Sequence, residues 1–390
     1  MNTPQSRLRR ELGVGGAIVI GLGAMLGTGV FAVWTPAYAL AGPWLLVALA
    51  IAAATAALNA ASTVRLARAL PESGGAYAYG RAFLNRPAAL IAGYAFVIGK
   101  SASAGAAALT IGAYAWPGHE RAVGLAAVVA ALALDLRGVV KSVRVSAVLV
   151  VVVLAVLAVL AVSWWAPGTA RGVPTGTSAH TVDILAAGGL LFVAFAGYAR
   201  VTVLGEEVRD PVRTIPRAVT TSFLVVAGVY VVIAVTVLSA VASGIELGPA
   251  SLEGVASAAG GGGLVAAVRI AAVLAAGAVL LSLLAGVGRT LFAMGSRGDA
   301  PRALAVVGPR GVPARGDLAA AVLAGLVVML GGIGFALALS AATVLTYYAV
   351  AHLAAWCRGR REGEPYRVVP ALGLLLCGAV VAGLLAASVG

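Results

Sequence analysis

The chain has 390 residues, of which 61% are hydrophobic and only 11% are charged, and its mean hydropathy is +1.03. This composition excludes an ordinary soluble globular protein and predicts an integral membrane protein. A formal net charge of +13 would suggest nucleic-acid binding in a soluble protein, but membrane topology accounts for it here, and no nucleic-acid partner is expected.

Apolar runs of about 20 residues recur along the chain, and each can cross roughly 30 Å of hydrocarbon as an α-helix. Division at charged, proline and glycine clusters predicts eleven spans, which are numbered in chain order. They cover about 13–39, 43–67, 88–115, 121–136, 145–166, 182–203, 217–241, 264–293, 318–333, 335–356 and 371–389. Spans 9 and 10 are separated only by the glycine-rich segment 331–334, inside a run too long for one crossing.

The basic residues predict the orientation of these spans. Most of the 27 Lys and Arg residues lie on one side of the membrane, in clusters such as Arg358, Arg360 and Arg361 after span 10. The positive-inside rule therefore predicts a multi-pass protein of the plasma membrane with a cytoplasmic N-terminus and an extracytoplasmic C-terminus. The same bias places the arginines against an anionic cytoplasmic leaflet.

Glycines interrupt span 1 at mid-depth, in the segment GLGAMLGTGVF of residues 21–31. Each glycine costs a helix interior roughly 1 kcal/mol relative to alanine, so the segment favours an opened helix. The N–H groups after Gly29 would then suit a carboxylate, and the carbonyls near Met25 would suit an ammonium group, so a zwitterion would fit both. The alternative is close helix packing, since Gly23 and Gly27 form a small-xxx-small pair.

Span 6 carries a similar interruption in FVAFAGYA, residues 192–199. Five spans separate the starts of the two interrupted helices, and a tandem copy of a five-helix unit enters the membrane from the opposite side. The pattern therefore predicts that spans 1–5 and 6–10 form an inverted repeat, with a binding site near the bilayer midplane between the two interruptions.

Four motifs carry a resemblance to a known family. They are GTGVF at 27–31 in span 1, PESGGAY at 71–77 after span 2, GEEVRDPVRTIPRA at 205–218 after span 6, and RTLFAM at 289–294 in span 8. In this order, over roughly residues 10–370, they closely resemble the signature of the amino acid/polyamine/organocation permeases.

The resemblance implies an all-α LeuT-type fold with a five-plus-five inverted repeat, in which helices 1 and 6 are discontinuous. The chain would then comprise a cytoplasmic segment 1–12, a ten-helix core 13–357 with repeats 13–166 and 182–357, and residues 358–390 with an eleventh helix. Family members usually have twelve helices, so eleven spans leave the oligomeric state open. The implied partners are an amino-acid substrate and the lipid bilayer, and no cofactor or metal is implied.

By the same resemblance, the substrate α-carboxylate meets the backbone and hydroxyl of residues 27–29, and the α-ammonium meets carbonyls near Met25 and in 195–197. Phe195 or Tyr198 can cover the substrate as an aromatic gate, although an aromatic side chain that faces a neighbouring helix is the commoner situation. The predicted substrate-binding residues are Met25, Gly27, Thr28, Gly29, Phe195, Ala196, Gly197 and Tyr198.

Ionisable residues at bilayer depth are costly and are therefore functional candidates. Lys100, halfway along span 3, can carry a coupling proton, replace a bound cation or repel cationic substrates, or it can simply snorkel to the interface. Some proton-coupled family members carry a lysine in helix 5, but residues 150–154 read VVVVL, so that role does not transfer. His352 can titrate near neutral pH, although a satisfied histidine is commoner.

The loop after span 6 is the candidate gate. Glu206 and Glu207 lie close in the sequence to three arginines, Arg209, Arg213 and Arg217, and can form with them an ion-pair cluster that changes as a gate moves. The alternative is a solvated loop that orients the protein in the membrane. Arg289 in span 8 resembles a family position that anchors the cytoplasmic loops.

Two other classes of function compete with transport by a carrier. A channel would be expected to show a carbonyl filter or a ring of charges. An intramembrane enzyme would need a constellation of reactive groups, but Asp135 and Asp183 lie near opposite membrane faces, and the sequence has no HExxH or GxSxG motif. Cys357 and Cys377 suggest neither a disulfide nor a metal site.

The sequence therefore predicts a secondary active amino-acid permease that is not an enzyme and works by alternating access. Protons are a candidate coupling ion. Neutral aliphatic substrates are favoured, because no acidic residue is clearly placed deep in the proposed pocket and Lys100 would disfavour cationic side chains. The alternative within this class is an exporter or exchanger of amino acids or polyamines.

Overall fold

The computed structural model describes residues 12–70, 74–138, 143–166, 172, 179–202, 208–308, 312–362 and 367–388. Within these residues the regular structure is helical, apart from one isolated bridge between Leu12 and Val208. The α-helices are α1 Val14–Met25, α2 Gly29–Ala32, α3 Trp34–Ala41, α4 Leu45–Ala69, α5 Gly75–Phe83, α6 Arg86–Ala115, α7 Glu120–Leu136, α8 Val143–Trp164, α9 Thr181–Phe195, α10 Ala199–Thr202, α11 Pro211–Ala242, α12 Glu253–Ser296, α13 Ala314–Leu330, α14 Ile333–Arg361 and α15 Val368–Ala387. Short 3-10 turns follow α3, α9 and α12 at Gly42–Trp44, Ala196–Tyr198 and Arg302–Leu304.

Each predicted span corresponds to helix in the structure. Span 1 contains α1, α2 and α3, span 6 contains α9 and α10, and each of the other spans matches one helix. The division between spans 9 and 10 is confirmed, because α13 ends at Leu330 and α14 begins at Ile333. Two features lie outside the eleven predicted spans: the short helix α5, and the early start of α12, which has a kink at Gly261 (φ +66°).

Nine of the described helical segments are long and apolar enough to cross a membrane, by length and composition. Helices α7 and α13 have 17 residues each, at the short end of the range of about 17–25 residues for a membrane-spanning helix. The chain is therefore an all-α, multi-pass membrane protein. Eleven crossings and the inverted repeat stay predictions.

Two hydrogen bonds show which helix ends lie together. Before α1, the Leu12 carbonyl accepts from the Arg209 N–H (2.8 Å), and at the end of α4 Arg68 Nη2 donates to the Val212 carbonyl (3.2 Å). The chain therefore reverses between α1 and α4. Gly42 makes this turn at φ +52°, a conformation that costs glycine little. The end of the bundle that holds Leu12, Arg68 and Val212 is called the arginine-rich end below.

Helix α6 is the central helix and packs against α7, α12, α13 and α14. Small residues permit this close approach. A Cβ added to Gly105 would lie 2.7 Å from Val327 Cγ1 of α13, and one added to Gly99 would lie 2.7 Å from Val344 Cγ2 of α14. Lys100, which directly follows Gly99, is half-buried in this interior helix.

Helix α15 joins the bundle through a buried polar cluster. His352 of α14 is fully buried, and its Nδ1 and Nε2 lie 2.9 Å from Ser62 Oγ and 2.7 Å from Asn59 Oδ1 of α4. The imidazole fills the space at Gly373 of α15, and Cys377 Sγ donates to Asn59 Oδ1 at 3.3 Å. Both ring nitrogens have partners, so His352 is a satisfied structural histidine and α15 belongs to the packed core.

A buried carboxylate fixes three segments together at the arginine-rich end. Asp299, just after α12, accepts hydrogen bonds from Tyr77 Oη (2.6 Å) and Arg86 Nε (2.9 Å). Arg81 forms an ion pair with the same carboxylate, and Tyr94 Oη donates to the Asp299 carbonyl (2.9 Å). Burial acts to raise the pKa of Asp299, but the hydrogen bonds from the tyrosine and the two arginines outweigh it and hold that pKa below its usual range.

We expect Asp299→Asn to lower the Tm of the detergent-solubilised protein at neutral pH, because an amide cannot pair with two guanidinium groups. Since the folded-state pKa of Asp299 is lowered, the carboxylate contributes stability above about pH 4, near the value of an unfolded aspartate, and loses it as the pH falls through the folded-state pKa. The Tm difference between wild type and variant should therefore stay constant at higher pH and shrink below about pH 4.

The exposed carboxylate of Asp210, 3.7 Å from Arg213, offers the matched control. Asp210→Asn should change Tm little at any pH, because exposed ion pairs contribute about 0–1 kcal/mol. An Asp299→Asn deficit that did not shrink in acid would contradict the charge-based account of this junction.

Candidate functional site

The two segments singled out by their glycines both interrupt α-helices. Helix α1 ends at Met25, residues 26–28 form a turn, and α2 begins at Gly29. Leu26 leaves helical geometry with ψ +25°. In the second segment α9 ends at Phe195, and a 3-10 turn precedes α10. We call these the first break, residues 26–28, and the second break, residues 196–198.

The two breaks lie directly against each other. A Cβ added to Gly29 would lie 2.5 Å from both Cα and Cβ of Ala194, in the last turn of α9. One added to Gly197 would overlap the backbone of Ala24 and lie 2.7 Å from Met25 N. The glycines are therefore needed on both sides, because the two backbones meet without room for a methyl group.

Polar groups without partners lie in the first break. Thr28 is 7% exposed, and its Oγ1 makes no hydrogen bond within the described part of the chain. In the same part of the chain, the N–H groups of Gly27 and Thr28 have no backbone or side-chain acceptor. Buried donors without partners are costly, and donors of this kind before a short helix suit an anion such as a carboxylate.

Tyr230 of α11, which the sequence analysis missed, connects the two breaks. Its hydroxyl donates to the Met25 carbonyl at 2.6 Å and lies 3.2 Å from the Ala194 carbonyl. The Met25 carbonyl predicted to accept from an ammonium group thus already accepts one hydrogen bond, and its second lone pair is what a ligand could use. An isolated tyrosine in an apolar span is the only sequence signal for this role.

The two candidate aromatic gates point in different directions. The Phe195 ring is fully buried and packs on Tyr230 and Phe223 of α11, at centroid distances of 4.9 and 5.4 Å. Phe195 therefore faces a neighbouring helix, which was the alternative to a gate. Tyr198 is also fully buried, and its ring lies instead against Tyr348 of α14 (5.8 Å).

Lys100 lies on the side of α6 that faces these aromatic rings. One turn earlier, Phe96 packs on Tyr347 (5.3 Å), which in turn packs on Tyr348 (5.1 Å). One turn later, Ser103 is hydrogen-bonded to Ser340 of α14 at 2.6 Å. No ion pair or hydrogen bond joins the Lys100 ammonium to another group among the described residues.

The remaining candidates lie away from the breaks. Glu206 and Glu207 lie outside the described residues, so their role in a cytoplasmic gate stays a prediction. Arg289 of α12 is exposed, and its charge acts on two buried aspartates, Asp135 of α7 and Asp317 of α13. Asp317 was also missed by the sequence analysis, because it lies just before the predicted start of span 9.

Comparisons with known proteins agree with this architecture. A family model described as amino acid permease matches residues 12–389. An uncharacterized transporter of Mycobacterium tuberculosis is 43% identical over 384 residues, which cover 95% of this chain and 85% of the relative. The branched-chain amino acid permease BcaP of Bacillus subtilis is 28% identical over 78% of this chain and 71% of its own length. The vacuolar cationic amino acid transporter 4 of Arabidopsis thaliana is 27% identical over 83% of this chain and 59% of its own.

Proposed function

Because this chain belongs to the amino acid permease family, we propose that it moves amino acids across the membrane by alternating access, with the substrate bound where the two breaks meet. The family and its relatives make the chain a membrane transporter of amino acids. The position of the substrate, its side-chain class, the direction of transport and the coupling ion are the proposed parts.

The contact between the two breaks carries the proposal. Buried N–H groups and the Thr28 hydroxyl lack partners in the first break, and carbonyls end α1 and α9 beside them. An amino acid matches this arrangement at both ends, because its carboxylate accepts from the N–H groups and its ammonium donates to the carbonyls. Half-helix ends at mid-depth are a recurrent way of binding such charged groups in transporters.

A neutral side chain is the substrate class that the surroundings support. Helices α1, α2, α6, α10 and α14 contain no Asp or Glu, and α9 carries one only in its first turn, at Asp183. The half-buried Lys100 would repel a positively charged substrate side chain bound near it. The Tyr198, Tyr348 and Tyr347 rings offer apolar surface instead. The branched-chain permease among the relatives agrees with this choice, and the cationic transporters represent the alternative.

The arginine-rich end would face the cytoplasm of a plasma-membrane protein, by the charge rule. A purified, reconstituted chain should take up leucine with saturation and show stimulated exchange when leucine is present on the far side, as a carrier does. Uptake that stays linear with concentration would indicate a channel. In a thermal-shift screen, leucine should raise Tm, whereas lysine should not. Stabilisation by lysine alone would overturn the neutral-substrate proposal.

Lys100 gives a direct test of substrate charge. We expect Lys100→Met to improve lysine binding relative to leucine by about tenfold, equivalent to about 1.4 kcal/mol, because the variant removes a repelling charge while keeping the length of the side chain. Competition against radiolabelled leucine measures this ratio. Ile98→Met, an exposed position on the same helix, is the control and should leave the ratio unchanged. An unchanged ratio in Lys100→Met would place the ammonium outside the substrate's reach.

A further inference from the structure

Two buried aspartates lie at the arginine-rich end, on helices that pack against each other, away from the two breaks. Asp135 is in the last turn of α7 and Asp317 is in the first turn of α13, and α12 packs against both helices. Their residues are 8% and 1% exposed. Neither aspartate contributes to the proposed substrate site.

Both carboxyl groups lack the partners that buried carboxylates normally have. The two Asp317 oxygens and Asp135 Oδ2 make no hydrogen bond within the described part of the chain. An ionised carboxylate in such surroundings is costly, and two of them close together are costlier still. At the C-terminal end of α7, a negative charge on Asp135 is further disfavoured by the helix dipole.

The packing around Asp317 keeps it in this position. A Cβ added to Gly288 of α12 would overlap Asp317 Oδ1, and one added to Gly316 would lie 2.6 Å from the Gly288 carbonyl oxygen. The carboxyl group therefore rests directly on the backbone of α12. A side chain at either glycine would push α12 and α13 apart, so the contact is specific to these small residues.

The charges that face the pair are few. The charge of Arg289 acts on both aspartates and that of Asp135 acts on Asp317, but Arg289 is exposed and is partly screened by solvent. The other basic groups at this end are directed elsewhere. Arg315 donates to the Ala303 carbonyl, Arg86 is hydrogen-bonded to Asp299, and Arg137 and Arg144 are exposed. Lys141 lies outside the described residues. One exposed cation thus faces two buried acids.

We propose that Asp135 and Asp317 form a proton-binding site in which one carboxyl group is protonated and Arg289 balances the charge of the other. The proton comes from hydronium at the arginine-rich end, moves to a carboxylate oxygen and leaves a water molecule behind. The two carboxyl groups titrate as one unit, so the pair shares one proton. The site stands independently of the substrate proposal, because its evidence lies in other residues.

Infrared difference spectroscopy of the purified full chain tests the site without any transport assay. Between mildly acidic and alkaline pH, wild type should lose a protonated-carboxyl band and gain a carboxylate band. Asp317→Asn and Asp135→Asn/Asp317→Asn should lack most of this change, whereas the exposed control Asp210→Asn should keep it. An identical band change in wild type and in the double variant would overturn the proposal.

The pH dependence of thermal unfolding gives a second test, which can be made on the double variant or on Arg289→Gln if one of them is poorly expressed. A group that holds its proton when folded and releases it when unfolded loses its stabilising effect as the pH rises, so wild-type Tm should fall towards alkaline pH more steeply than that of the double variant. Arg289→Gln should move proton release to higher pH, because it removes the cation that favours the ionised form. A Tm that responds to NaCl and not to pH would show that a metal cation, not a proton, neutralises the pair, and would also overturn the proposal.

Discussion

Gly29→Ala is expected to lower the rate of substrate uptake by at least about tenfold. The added methyl group would lie 2.5 Å from the Cα and Cβ of Ala194, and backbone atoms of a packed helix cannot move aside as a flexible side chain can. Overpacking of this kind costs about 1–3 kcal/mol. This free-energy cost is located where the two breaks meet, so the variant should bind substrate more weakly as well as fold less stably.

The measurement is uptake per folded transporter, together with leucine-induced thermal shift in detergent. Gly15→Ala is the matched control, because it adds the same methyl group to α1 at a position with nothing within 4 Å. The control should be as active and at least as stable as wild type, since alanine is the better helix former. If Gly29→Ala bound leucine normally, the close contact of the breaks would not be part of the substrate site.

Tyr230→Phe is expected to raise the leucine KM by about tenfold and leave the protein folded. The substitution deletes only the hydroxyl that donates to the Met25 carbonyl, whereas the ring keeps its contacts with Phe195 and Trp34. A buried carbonyl that loses its donor costs about 1–3 kcal/mol. The carbonyl would then be free to turn away from its place at the end of α1, where the proposed ammonium group binds.

Initial-rate kinetics in proteoliposomes, with Tm as a check on folding, measure this effect. Tyr38→Phe is the control: it removes a hydroxyl from a half-buried residue of α3 and should leave KM unchanged. Should Tyr230→Phe lower Tm without moving KM, Tyr230 would be a structural bridge between the breaks and nothing more.

Local signals made the helices and the breaks predictable. Hydropathy marked the spans, and clustered glycines marked the breaks, because both effects depend on residues close in sequence. The weak division at 331–334 was predicted correctly for the same reason: two glycines separate α13 from α14.

Residues whose roles depend on a distant partner could not be predicted. Nothing near Tyr230 in the sequence indicates that it reaches the carbonyls of Met25 and Ala194, more than thirty residues away. Asp317 resembles an ordinary solvated acid in the first turn of a helix, a place that the helix dipole favours. Its burial follows from the close packing of Gly288 and Gly316, which only the tertiary structure shows.

The imidazole of His352 is held by α4 on one side and closed off by α15 on the other. Hydrocarbon offers no hydrogen bonds, so if the last helix were absent, lipid would replace Gly373 and Cys377 around a polar ring that has no water to turn to. Helix α15 therefore shields this histidine from the hydrocarbon, and the polar contact between α4 and α14 depends on that cover.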